Sequence, residues 1–312
     1  MRHRLLAALG CVGVLALAAS CSSAGSTPPP PAGTGVVPQL FGGQSTTVTY
    51  CNGEKARITE PQDIEGGDPV ALYVHGGSWV SGNLDTGGFL INEIGPALER
   101  AGFIVMSIDY RLGPGTPWPA QIDDVKCAVR YLRANASTLN VNPDEIGAWG
   151  QSAGGHLVSL LGTAGPSAGW DVGAYTDQSS KIQAVVDMAG PSDLLSMGSQ
   201  GDSGIVQDSF ISLLGSIAPQ RLGAALKADS PVTYVAKGDP PFLIFHSNND
   251  QIVYPQQSDE LTWDLSANNV PNQLVMVNGG GHEFDDPGAS PDEAQITAMI
   301  VKFFTEHLHP HH

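Results

Sequence analysis

Ser152 stands in "GAWGQSAGGHL", Gly147 to Leu157, between glycines at the spacing G-x-S-x-G. A serine hydroxyl is a weak nucleophile in water and needs a base beside it and a third group to orient that base. His246 and His282 are the histidines well downstream of Ser152 and ahead of the C-terminal "HLHPHH". His246 lies inside the apolar run "FLIFHS" and reads as a strand residue. His282 lies in "NGGGHEF", a glycine-rich loop after an apolar run, and is the candidate base. Asp250, in "FLIFHSNNDQIVY", follows the preceding apolar run and is the candidate acid; Asp187, Asp193 and Glu283 compete for that role. The acid would hold the imidazole tautomer and stabilise the imidazolium without taking its proton.

Attack on a carbonyl also needs donors for the developing oxyanion. Ala153, directly after the serine, offers one backbone N–H. Gly76 and Gly77 in "HGGSW", His75 to Trp79, offer two more, because neither carries a side chain that would block a common approach. Losing one such donor typically costs roughly 10²–10³ in rate. His75 reads as an anchor of this loop. Ser78 and Trp79 are candidate substrate-binding residues, with plain packing the alternative for Trp79.

These groups need a scaffold that brings them to one end of a sheet. "TVTYC" and "KARIT" read as an antiparallel opening pair around "NGE". Beyond them, "PVALYV", "FIVMSIDY", "EIGAWG", "IQAVVDMAG", "PPFLIFHS" and "NQLVMVNG" read as strands. Helical stretches separate several of them, among them "FLINEIGPALERAG", "AQIDDVKCAVRYLRAN" and Gly154–Leu161, and a last helix spans Pro291–Leu308. Strands alternating with helices predict an α/β fold with a mostly parallel sheet covered on both faces. Ligands of such sheets sit at the carboxyl ends of the strands, where the candidate residues fall.

The chain has 312 residues, enough for one α/β domain, with 14% charged residues and a formal net charge of −17. That charge argues against nucleic acid, which needs a basic face. Arg2 and Arg4 precede an apolar run, Leu5–Ala19, too short for a comfortable membrane span. "LALAASC" then puts small residues before Cys21 and resembles a bacterial lipobox. It implies a signal peptide over residues 1–20, lipidation at Cys21 and anchoring at the outer face of the cell membrane; plain secretion is the alternative. Residues 21–42 are rich in Ser, Pro and Gly and read as a tether. Residues 43–308 form the expected catalytic domain, with cap segments at 165–180 and 191–237, and 309–312 are a His-rich tail.

Cys51 and Cys127 are the cysteines left to that domain. Ile122, Val125, Val129 and Leu132 define the buried stripe of their helix, and at about 100° per residue Cys127 falls nearly opposite its centre. Cys51 ends the opening strand. A Cys51–Cys127 disulfide is expected in an exported chain, with two unpaired thiols the alternative.

Taken in order, "HGGSW", "SIDYRLGPGTPWPAQIDDVKCAVRYLRAN", "IGAWGQSAGGHL", "GPSDLL", "DPPFLIFHSNNDQIV" and "GGGHEF" resemble the α/β-hydrolase superfamily. Within it they are similar to the hormone-sensitive-lipase-like branch and to bacterial feruloyl- and acetylxylan-esterase-like proteins. The resemblance covers residues 45–308 and implies a serine carboxylesterase acting through an acyl-enzyme, with Ser152 as nucleophile, Asp250 as acid and His282 as base. It implies Gly76, Gly77 and Ala153 as oxyanion donors. The family often has a third glycine where Ser78 stands, and its acid loop usually reads Gly-x-x-Asp then Val-Pro, against "SNNDQIVYP" here. The expected substrate is a small-molecule or polysaccharide-linked ester. No cofactor, metal or nucleic acid is expected, and the membrane is met only through the lipid anchor. Other readings are a serine peptidase of prolyl-oligopeptidase type and a non-catalytic binding module on the same fold.

Overall fold

In a computed structural model, the structure describes residues 43–63, 66–200, 204–215 and 217–310. The expected signal peptide and tether, Cys21 and the last two residues of the tail lie outside them.

Strands β1 (Ser45–Thr49), β2 (Lys55–Thr59), β3 (Asp68–Val74), β4 (Ile104–Ile108), β5 (Val141–Gln151), β6 (Ala184–Met188), β7 (Phe242–Ser247) and β8 (Asn272–Val277) form one sheet in the order β1-β2-β4-β3-β5-β6-β7-β8. The β1–β2 and β2–β4 pairs are antiparallel, as the opening pair predicts, and every later pair is parallel. β3 is buried along its whole length, the mark of a parallel strand covered on both faces. Its side chains alternate accordingly. Val70, Leu72 and Val74 join one core, while Ala71 and Tyr73 join the other with Trp149 and Phe304.

The helices are α1 (Gly95–Arg100), α2 (Ala120–Ala134), α3 (Ala153–Thr163), α4 (Leu194–Met197), α5 (Gly204–Leu214), α6 (Pro219–Ala228), α7 (Gln256–Ala267) and α8 (Glu293–Leu308). The first expected helix is divided. A π-type turn over Leu90–Ile94 precedes α1, and Pro96, without an N–H to donate, sits in the first turn of α1. α8 starts from a capping box between Asp292 and Gln295 and buries Ile296, Ile300, Phe304 and Leu308 at a spacing of four.

α2 buries Ile122, Val125, Val129 and Leu132, as its period predicts, but it also buries its polar face. Residues 165–180 run along that face. Asp171 lies 2.9 Å from Arg130 Nη1 and 3.4 Å from Lys126 Nζ, and Arg133 donates to the Ser179 carbonyl. Cys127 is therefore 1% exposed, not on an open surface. The expected bridge to Cys51 is present, with Cα atoms 6.1 Å apart and a sequence separation of 76. Residues 191–237 carry α4, α5 and α6, and Phe210 of α5 packs 4.9 Å from the Trp79 ring.

Candidate active site

β5 ends in the sheet interior, and the chain turns sharply there into α3. Ser152 occupies that turn at φ 58°, ψ −123°, a left-handed conformation that few side-chain-bearing residues adopt. The neighbouring glycines explain how the turn packs. A Cβ on Gly154 would run into the Val74 carbonyl, and one on Gly150 would meet the Gly154 backbone at 2.6 Å. The Ser152 N–H donates to the Met188 carbonyl at 2.9 Å, which fixes the turn to β6. The residue is 6% exposed.

The loop after β3 lies against this turn. A Cβ on Gly76 would fall 3.4 Å from the Ser152 Cβ and 2.9 Å from the Gln151 carbonyl oxygen. Gly77 has φ +108° and no room for a side chain beside Ser81. His75 holds the loop from beneath. Its Nδ1–H donates to the Gly76 carbonyl at 2.6 Å, its ring stacks 4.2 Å from Tyr110, and the Tyr110 hydroxyl donates to the His75 carbonyl. Burial lowers the His75 pKa and favours the neutral ring. Ala153 opens α3, so its N–H is among those a helix leaves without an intrahelical partner. Ser78 is half-buried at φ 52°. Trp79 is completely buried, its ring edge-on to His156 at 5.2 Å.

Asp250 and His282 meet across two loops. His282 Nδ1 lies 2.7 Å from Asp250 Oδ2, while Asp250 Oδ1 accepts the Ile252 and Val253 amides at 2.8 and 3.0 Å. Burial opposes the charge on Asp250. Hydrogen bonds from His246 and His282, the His282 charge and the Ile252 amide outweigh it and hold the carboxyl well below the usual carboxylate range. With Asp250 accepting at Nδ1, the other ring nitrogen of His282 is left to receive a proton.

Two of the competing acids, Asp187 and Asp193, are occupied elsewhere. Asp187 accepts the Ser159 hydroxyl and the Gly190 amide, both at 2.8 Å. Asp193 caps α4 by accepting the Leu195 and Ser196 amides.

Gln151 escaped the sequence reading. Its side-chain amide donates to the His282 carbonyl at 3.0 Å, so the residue before the serine holds the histidine loop. A polar residue at the end of the apolar, buried half of β5 was the available signal. His246 carries the same signal. It is the strand residue the sequence predicts, and its Nε2 also lies 3.4 Å from Asp250 Oδ2.

The family model described as BD-FAE matches residues 57–265. Esterase LipC of Mycobacterium tuberculosis is 29% identical over 222 residues, covering 70% of this chain and 53% of that protein. The probable carboxylic ester hydrolase LipM of the same organism is 30% identical over 247 residues, 78% of this chain and 55% of that protein. The chain thus spans about half the length of these curated relatives. Among solved structures, a truncated carbohydrate esterase from gut microbiota superposes with TM-score 0.70 at 29% identity, over 86% of this chain and 99% of that one. Esterase 2 of Thermogutta terrifontis, 24% identical in its native form with TM-score 0.69 over 86% of this chain and 95% of that one, shares the fold. The sheet and these likenesses establish the α/β-hydrolase fold that the motifs imply.

Proposed function

The chain belongs to the BD-FAE family, and from that premise we propose that it is a serine carboxylesterase acting on small acyl or aromatic esters, including esters carried on carbohydrate. The observation that carries the reading is the convergence of three parts at one end of the sheet: a strained Ser152, the Asp250–His282 pair 2.7 Å apart, and Gly76 beside the serine. His282 takes the Ser152 proton as Oγ attacks the ester carbonyl, forming the C–O bond of a tetrahedral intermediate. Asp250 stabilises the resulting imidazolium. The Gly76, Gly77 and Ala153 amides receive the oxyanion. The imidazolium then protonates the leaving alkoxide as the acyl-enzyme forms, and water, activated by the same imidazole, releases the acid. The names of the esterase relatives support the acyl chemistry, and the carbohydrate esterase neighbour supports the carbohydrate-linked part of the substrate range.

The test is hydrolysis of p-nitrophenyl acetate, butyrate and an aromatic ester by wild type, Ser152→Ala and His282→Ala. Wild-type turnover and fluorophosphonate labelling that both vanish in Ser152→Ala support the reading; labelling that persists in that variant overturns it. The "LALAASC" segment supports a second part of the proposal, display on the outer face of the membrane through lipid at Cys21. Cys21→Ala should leave the membrane fraction, and unchanged partitioning would refute anchoring there.

A further inference from the structure

Asp250 faces two imidazoles. Its Oδ2 lies 2.7 Å from His282 Nδ1 and 3.4 Å from His246 Nε2. His246 is completely buried on β7, and its ring is held at both nitrogens. Nε2 lies 2.8 Å from the Val253 carbonyl oxygen. A carbonyl only accepts, so Nε2 carries the hydrogen. Nδ1 is then the bare nitrogen of the neutral ring and accepts from the Ser258 hydroxyl at 2.6 Å. The Val253 carbonyl thereby sets the tautomer that also aims the N–H at Asp250 Oδ2, and the Ser258 hydroxyl, on α7, takes up the ring nitrogen on the other side. From β6, Asp187 acts on the same imidazole electrostatically, its own oxygens taken by Ser159 and Gly190.

We propose that His246 is a positioning residue for the catalytic acid, with Ser258 holding the far side of its ring. The proposal rests on the reading of Asp250 as the triad acid. His246 reaches that carboxylate by two routes. Its N–H approaches Oδ2 directly, beside the bond from His282. It also ties down the Val253 carbonyl, and the Val253 amide grips Oδ1 at 3.0 Å. Both oxygens are held from a strand of the sheet, a firmer support than the loop that carries Asp250 itself. With the carboxylate unable to swing, the His282 ring it holds at Nδ1 keeps one orientation. His246 touches neither the serine nor, by this geometry, the substrate, so its effect belongs to the chemical step and not to ester binding.

The experiment compares purified wild type with His246→Leu, His246→Gln and Ser258→Ala, using Asp250→Asn as a control. Glutamine places an amide N–H near the position of the imidazole Nε2; leucine keeps apolar bulk and offers no donor. Hydrogen bonds to charged groups are the stronger ones, so His246→Leu should lose about tenfold or more in kcat with KM within about twofold. His246→Gln should recover most of that loss, and Ser258→Ala should fall between. A wild-type kcat in His246→Leu overturns the proposal, as does an equal loss in the leucine and glutamine variants. Should His246→Leu fail to fold, Ser258→Ala decides: full kcat there overturns the proposal and a reduced kcat at constant KM supports it. An Asp250→Asn enzyme as active as wild type removes the triad reading itself, and this proposal with it. An inactive Asp250→Asn beside fully active His246 and Ser258 variants removes this proposal alone.

Discussion

The side-chain oxygen of Asn249 accepts the backbone N–H of Gly281 at 2.9 Å, joining the residues immediately before Asp250 and His282. It has neighbours on the same track. Ser247 Oγ accepts the Gly280 amide at 2.9 Å, and Asn248 Oδ1 accepts the Gly279 amide at 3.0 Å. The polar run after β7 thus takes up the glycine amides after β8. This gives a structural use to "SNND", where the family usually carries glycine at the first position of the acid loop.

Asn249→Leu should therefore loosen the carboxylate–imidazole pair without disturbing the sheet. One net hydrogen bond is worth about 1 kcal/mol, so kcat should fall roughly fivefold with little change in thermal midpoint. Steady-state ester hydrolysis beside a thermal melt reads both quantities.

Gln151 restrains the other side of the histidine loop. Gln151→Ala removes the donor to the His282 carbonyl and should slow fluorophosphonate labelling of Ser152 by a similar factor, about fivefold. Because labelling follows serine activation and needs no ester, an unchanged labelling rate would show that the tether is dispensable.

Glu60 sits far from this chemistry in role. It is 1% exposed, and neither carboxylate oxygen has a hydrogen-bond partner. Burial pushes its pKa from 4.5 up to about 7. A carboxyl raised in the folded state binds more protons there than in the unfolded chain, so its presence makes stability fall as pH rises from about 4.5 to 7. Glu60→Gln should equal wild type in stability near pH 4 and exceed it at pH 8. Urea unfolding at the two values checks the sign.

The Cys51–Cys127 bridge closes a long loop, with 76 residues of sequence separation. The chain-entropy model assigns roughly 3–5 kcal/mol to such a loop. A Cys51→Ala, Cys127→Ala double variant should unfold at lower denaturant by an amount in that range, and adding reductant to it should change nothing further.

Much of this arrangement was legible in the residues. The alternation of strands and helices, the serine turn, the Asp250 and His282 loops and the inner stripe of α2 all follow from local pattern. What escaped depends on contacts distant in sequence. Lys126 and Arg130 lie outside the stripe that the period of α2 marks, yet both are buried and pair with Asp171, more than 40 residues on. Cys127 was expected opposite the core for the same reason, and the pairing it suggested is present although the exposure behind that argument is not. His246 was read as strand filling because an apolar run says nothing about a carboxylate that folds back beside it.

β8 stands at the margin of the sheet with β7 as its strand neighbour, and of its residues Val277 alone is fully buried. The proposed base therefore hangs from an edge strand that has little to lose by opening, while the proposed nucleophile leaves a strand inside the sheet. Partial openings of a fold run from its weakly packed edges inward. Turnover should then act as a gauge of fraying at this border. As denaturant rises, ester hydrolysis should disappear while amide protons of β3 and β5 are still protected from exchange, leaving an enzyme switched off but not yet unfolded.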